Sequence, residues 1–271
     1  MMIFKKAVEN CLKAGGYEVR NEDGDEKIVH ISTKNENNKK TNQNIIICGA
    51  VLNSETGTKE KNINKNDYYR IRLNNIKKLS IDKTLDNVEE NHWEILTHAN
   101  IKLNLLQVKM TQSISLNLNE NLDNNRETGN KGGTFVLYNV SRLAAIKAKY
   151  FQRVNDNFYP KLPPVDELSF KELTEFEEWS LLFNYLLEYP SLIEKSARDL
   201  IDGKPAIHNI CNYLFNLCSL FSVYYRRVRI LLDSKEHLIP LLQSRFFLCQ
   251  AIEQVLRNCL NLLNVETVNA M

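Results

Sequence analysis

Ile207, Cys211, Leu214, Cys218, Phe221, Tyr225, Val228 and Leu232 are separated alternately by four and three positions. A helix with 3.6 residues per turn gathers such a series onto one stripe, whereas a strand, with a period of two, would scatter it over both faces. The spacing predicts a helix of about seven turns. An apolar stripe of that length has to be buried against something else. Leu248, Ile252, Val255, Cys259 and Leu262 repeat the spacing, with Gln250, Glu253, Gln254, Arg257 and Asn261 opposite. Val136, Val140, Leu143 and Ile146 predict another helix, and Trp179, Leu182, Phe183 and Leu186 a shorter one ended by Pro190. Four amphipathic helices joined by short loops bury their stripes against one another, so this half reads as an all-α helix bundle.

The other half is punctuated differently. All six prolines lie at or beyond Pro160, while eight of nine glycines lie at or before Gly133. Two polar stretches, Lys34–Asn44 and Asn117–Lys131, cannot bury enough apolar surface to order themselves and read as loops. The second is the natural boundary, giving an N-terminal part over 1–128 and the bundle over 129–271. Ile3–Leu12 has helical spacing and stops at Gly15-Gly16; Lys27–Ser32 and Asn44–Leu52 read as strands, the latter buried. Tyr68–Leu73 alternates weakly, and Trp93–Leu106 has the look of a helix. The expected class is α+β overall: an α/β remnant followed by the bundle.

Composition narrows the function. A net charge of +2 argues against a protein that coats nucleic acid over its whole surface but leaves room for a local basic face. The six cysteines form no CxxC pair, and Cys211, Cys218, Cys249 and Cys259 sit among apolar residues, which reads as buried free thiols rather than metal ligands. With no signal peptide and no membrane-length apolar run, a reducing cytoplasmic compartment is expected, without membrane association.

The candidate binding chemistry lies on two helices. Tyr138, Arg142, Ala145 and Lys149 form a stripe of their own, offset from the apolar one. An aromatic ring, a guanidinium and an ammonium beside a small alanine suit a base and a phosphate backbone, although spacing alone favours an ordinary solvated face. Tyr224-Tyr225-Arg226-Arg227-Val228-Arg229 is the densest basic and aromatic run. Spacing assigns Tyr225 to the core and puts Arg226 and Arg229 on an exposed side with Ser222, where like charges favour an anionic partner. Signs of catalysis are absent. There is no Walker or Rossmann glycine pattern and no G-x-S-x-G, and the five histidines have no metal spacing. Glu89-Glu90 and Glu177-Glu178 read as solvated pairs, and no cofactor is implied.

Three segments, in order, resemble the DALR anticodon-binding domain of arginyl-tRNA synthetases: "GNKGGTFVLYNVSRLAAI" (129–146), "LFNLCSLFSVYYRRVRIL" (214–231) and the stretch from Arg245 to Met271. Ala99–Leu103 followed by Ser113–Leu118 is similar to the segment that joins a synthetase's catalytic domain to its anticodon domain, so the α/β part reads as a synthetase-like remnant. A synthetase also carries a HIGH-type motif and a KMSKS-type loop. This chain has no His-x-Gly-His, and Lys78-Leu79-Ser80 lacks the following Lys-Gly. The resemblance as a whole, including "IIICGAVLNSETGT" and "EEWSLLFNYLLEYPSL", is to a non-catalytic member of the family and to its C-terminal portion. It implies a protein that is not an enzyme, that recognises the anticodon stem-loop of arginine tRNAs, and that brings a tRNA 3-methylcytidine methyltransferase to position 32. Tyr138, Arg142, Lys149, Arg226 and Arg229 are the expected tRNA contacts. Met271 is carried over from the family, although Val268-Asn269-Ala270 stand where the family usually has Pro-Glu-Arg.

Overall fold

A computed structural model describes residues 2–20, 27–33, 43–81, 90–118 and 132–267. In chain order the elements are α1 (Met2–Ala14), β1 (Ile28–Ser32), β2 (Gln43–Ile47), β3 (Val51–Asn53), α2 (Lys65–Ile81), α3 (Glu90–Leu106), β4 (Ile114–Leu116), α4 (Gly132–Asn155), α5 (Phe176–Leu181) running into a π-helical turn (Leu182–Leu186), α6 (Tyr189–Ile201), α7 (Ile207–Arg227) and α8 (Ile239–Leu262). The chain divides into two compact units. One holds residues up to Thr134 with Ser191–Asn212 and Leu260–Glu266; the other holds Phe135–Pro190, Tyr213–Cys259 and the segment from Thr267. The expected boundary between 128 and 129 and most of the two polar stretches lie outside the described residues.

In the first unit the strands form two parallel pairs, β1 with β2 and β3 with β4. The predicted strand over Asn44–Leu52 is therefore two strands. The chain breaks at Gly49, whose N–H donates to the Met110 carbonyl at 2.8 Å. A Cβ there would stand 2.0 Å from the Gln112 carbonyl oxygen, so only glycine allows the close approach. The weak alternation at Tyr68–Leu73 lies inside α2, not in a strand. There Arg72 donates to Asn100 of α3 at 2.6 Å, a buried charge-assisted bond that ties the two helices. α1 ends as its glycines predict: Gly16 has φ +86°, and the Tyr17 N–H returns to the Leu12 carbonyl. Asparagine does the same work at the ends of α4 and α8, where Asn157 and Asn264 have φ of 56° and 53°.

In the second unit Val136, Val140, Leu143 and Ile146 of α4, Leu214, Cys218 and Phe221 of α7 and Ile252 and Cys259 of α8 are buried as the stripes predict, and Leu137 and Leu256 are buried with them. Tyr150 stacks on Phe246 with ring centroids 3.8 Å apart. The last four cysteines are buried free thiols, as expected. Three expectations fail here. α7 stops at Arg227 rather than at Leu232, because side chains take over the carbonyls beyond it: Arg245 donates to the Arg229 carbonyl at 3.1 Å and Tyr159 to that of Leu232. Pro190 does not terminate the α5 helix but lies in the first turn of α6, where its missing N–H costs nothing.

The third failure is the largest: α5 is turned the other way round. Glu177, Glu178, Ser180 and Leu181 are buried, while Trp179 and Phe183 are exposed. Glu178 is fully buried. Its Oε1 accepts from Arg245 Nε at 2.7 Å and from the Tyr224 hydroxyl at 3.1 Å, and its Oε2 accepts the Glu175 N–H at 3.0 Å in a capping box. Glu177 pairs with Arg227. The pair is thus not a solvated surface, because two arginines from other helices supply what water would have supplied.

Glu178→Ala should leave the buried Arg245 guanidinium without its counter-ion and cost roughly 3–5 kcal/mol in urea unfolding. Exchanging Glu178 and Arg245 together for apolar residues of similar size should recover most of that loss. Alkaline pH probes a second set of buried groups. Burial pushes the Cys11 and Cys259 thiols from 9.0 up to about 12 and drives the Tyr224 and Tyr213 hydroxyls upward as well. A raised folded pKa stabilises at pH values below the unfolded one, and that stability is lost as pH rises toward the folded one. The urea midpoint should hold steady to pH 8.5 and fall between pH 9 and 12, less steeply in Cys259→Ala.

Candidate nucleic-acid interface

Tyr138, Arg142 and Ala145 lie two positions beyond Val136, Val140 and Leu143, which is about 200° around the helix, and Lys149 continues their series. The burial of the α4 stripe therefore turns Tyr138, Ala145 and Lys149 outward; Tyr138 is 43% exposed and Arg142 half-buried. On α7 the two adjacent tyrosines part company. Tyr224 is fully buried against Glu178, and Tyr225, a further 100° around the helix, is 39% exposed. The expectation that Tyr225 belongs to the core is thus corrected. Phe221 has Tyr224 three residues on and Tyr225 four residues on, and spacing alone does not separate them. The buried carboxylate that accepts from Tyr224 does.

Arg142 joins the two helices. Its guanidinium carbon lies 4.1 Å from the Tyr138 ring centre and 4.8 Å from that of Tyr225, and its Nη2 donates to the Tyr138 hydroxyl at 3.0 Å. Both ring distances fall within cation–π range. The register of the two helices is set one layer below. The Ser222 hydroxyl donates to Asn139 Oδ1 at 2.8 Å, and Asn139 Nδ2 donates to the Phe135 carbonyl at 2.8 Å. This buried bond places the residue after Tyr138 opposite the residue three before Tyr225.

The remaining predicted residues are only partly gathered. Arg226 is exposed beside Tyr225, with its Nε donating to the Ser222 carbonyl at 3.3 Å. Ser222 itself is buried, so it does not share an exposed side with Arg226. Arg229 lies past the end of α7 and reaches Asp233 at 3.3 Å, an exposed pair of the kind worth about 0–1 kcal/mol. Lys149 is exposed two turns beyond Arg142. Met271 lies outside the described residues. What the structure assembles is a patch of two tyrosine rings and a guanidinium with Arg226 at its side, which offers π faces to bases and fixed charge to phosphates. The described residues contain no group of His, Cys, Asp and Glu that could hold a metal ion and no helix long and apolar enough to cross a membrane.

A family model described as "DALR anticodon binding domain" matches residues 136–271. Two curated relatives, each called DALR anticodon-binding domain-containing protein 3, are 31% identical over 83% of this chain (Danio rerio) and 29% identical over 84% (Mus musculus). The chain spans only 41% and 43% of their lengths. Among solved structures, an arginyl-tRNA synthetase of Thermus thermophilus superposes with a TM-score of 0.63 and 16% identity, covering 85% of this chain and 36% of that one. At that identity the likeness concerns the fold.

Ser222→Ala should strip the buried Asn139 carbonyl of its donor and destabilise the protein by about 1–3 kcal/mol. Tyr225→Ala removes an exposed ring and should shift stability by less than about 1 kcal/mol. Chemical denaturation of the two variants checks both, and a reversed order would return Tyr225 to the core.

Proposed function

The chain belongs to the DALR anticodon binding domain family, and on that premise we propose that it is a non-catalytic, cytoplasmic tRNA-binding protein that grips an anticodon stem-loop. The observation that carries this reading is the Tyr138–Arg142–Tyr225 cluster, built from two helices of the matched domain and open to solvent. Arg142 and Arg226, with Lys149 and Arg229 further out, would supply phosphate contacts and most of the affinity. Tyr138, and Met271 as carried over from the family, would supply base contacts and hence selectivity. Preference for arginine tRNAs and delivery of a 3-methylcytidine methyltransferase to position 32 belong to the same proposal, supported by the resemblance to the DALR anticodon-binding domain-containing relatives. The absence of a His-x-Gly-His motif supports a role without aminoacyl-adenylate formation. Arginine-dependent ATP–pyrophosphate exchange by the purified protein would overturn that part.

Binding to tRNA should weaken steeply with salt, because each bound phosphate releases counter-ions. Arg226→Ala with Arg229→Ala should weaken arginine and non-arginine tRNAs alike and flatten the salt slope by roughly one for each phosphate no longer neutralised. Tyr138→Ala should cost about 1–3 kcal/mol through the missing base stack. Deleting Met271 should narrow the difference between tRNAs without moving the unfolding temperature. No loss in any of these variants would exclude these residues as the reading surface and favour a protein scaffold over an RNA reader.

A further inference from the structure

The inverted helix α5 has an outer face that the tRNA reading leaves unused. Phe176, Trp179, Phe183 and Leu187 follow one another at spacings of three, four and four, and they are 78%, 39%, 54% and 57% exposed. Trp179 and Phe183 stack with ring centroids 5.7 Å apart at 17°. The Trp179 indole N–H is already used, donating to the Leu173 carbonyl at 2.9 Å, so the ring offers the outside only carbon. The π-helical turn at Leu182–Leu186 has more residues per turn than an α-helix, which keeps steps of four residues in line along one face. Four large apolar side chains in a row on a surface mark an interaction site rather than scattered exposure.

The charge around the stripe says what would cover it. From Glu172 to Pro190 the chain holds five glutamates and no lysine or arginine, with Lys171 standing just before it. Glu178 is neutralised inside by Arg245, and Glu177 by Arg227, whose own side chain is 59% exposed. Glu172 and Glu188, both exposed, enter no ion pair among the described residues and flank the apolar row. A phosphate backbone is repelled there, and a basic rim is attracted. We propose that the outer face of α5 docks an amphipathic helix of another protein, one that presents an apolar stripe at i, i+3, i+4 and i+7 edged by Lys or Arg. None of these four residues belongs to the tyrosine–arginine patch, and the two surfaces are tested separately.

The chain has two tryptophans, so Trp93→Phe leaves Trp179 as the sole reporter. The probe is a helical peptide of leucine and lysine in that pattern, with a leucine–glutamate peptide of the same pattern as control. The lysine peptide should move the Trp179 emission to shorter wavelength and saturate, binding at least about tenfold more tightly than the glutamate peptide. Phe183→Ser with Leu187→Ser keeps the charge and removes the stripe; it should weaken the lysine peptide by about tenfold or more while tRNA affinity and the unfolding midpoint stay put. Unchanged peptide binding would reduce the interaction to nonspecific charge attraction and overturn the proposal. A Trp179 shift caused by an anticodon stem-loop RNA would make this a nucleic-acid face. Self-association in sedimentation equilibrium that the double variant abolishes would make it a face for a second copy. Either result overturns the proposal.

Discussion

One carboxylate organises the helical unit. Glu178 has no exposure to water, and its oxygens are taken up by a guanidinium from α8, a hydroxyl from α7 and the N–H of its own helix cap. A buried charge of this kind tolerates only the geometry that satisfies it. α5 has to turn its glutamates inward, α7 has to rotate until Tyr224 points at the carboxylate, and Arg245 has to reach across to both. Arg245 also takes the carbonyl of Arg229, which helps end α7 where it does. The rotation that buries Tyr224 is the rotation that leaves Tyr225 beside Arg142. The exposed patch is thus a by-product of an internal ion pair.

The parts of the fold governed by apolar burial were legible in the order of residues. α4 and α8 follow their stripes, α1 stops at its glycines, and the buried thiols fall where apolar spacing puts them. α6 carries the helical spacing at Ile193, Ala197 and Leu200, but the proline in its first turn reads locally as a stop. The parts that resisted reading are those where a polar contact between distant positions outweighs local hydrophobicity. Periodicity ranks Trp179 and Phe183 above Glu177 and Glu178 as core residues, and nothing within those few positions reveals that Arg227 and Arg245 wait on other helices. Likewise, the break at Gly49 depends on the carbonyls of Met110 and Gln112, far downstream in the chain.

The candidate site divides along the same line. Tyr138, Arg142 and Lys149 share a face because α4 is regular, and a helical wheel suffices to say so. That Tyr225 joins them, and that Arg229 leaves the helix to meet Asp233, are tertiary facts. The family resemblance points to α4 and α7 without grouping their residues. The residue-level grouping needed the register set by Asn139 and Ser222.

Arg142 carries a kinetic consequence. An exposed arginine ordinarily samples many rotamers, and ordering it on binding costs about 0.5–1.5 kcal/mol. Here two rings and a phenolic oxygen restrict it before any partner arrives, so that cost falls largely within folding. For an anion that meets this surface, loosely held charges such as Arg226 govern how fast it is drawn in, whereas a guanidinium already in place lengthens its stay. Between a flexible rim and a fixed anchor, the same few residues divide arrival from residence time.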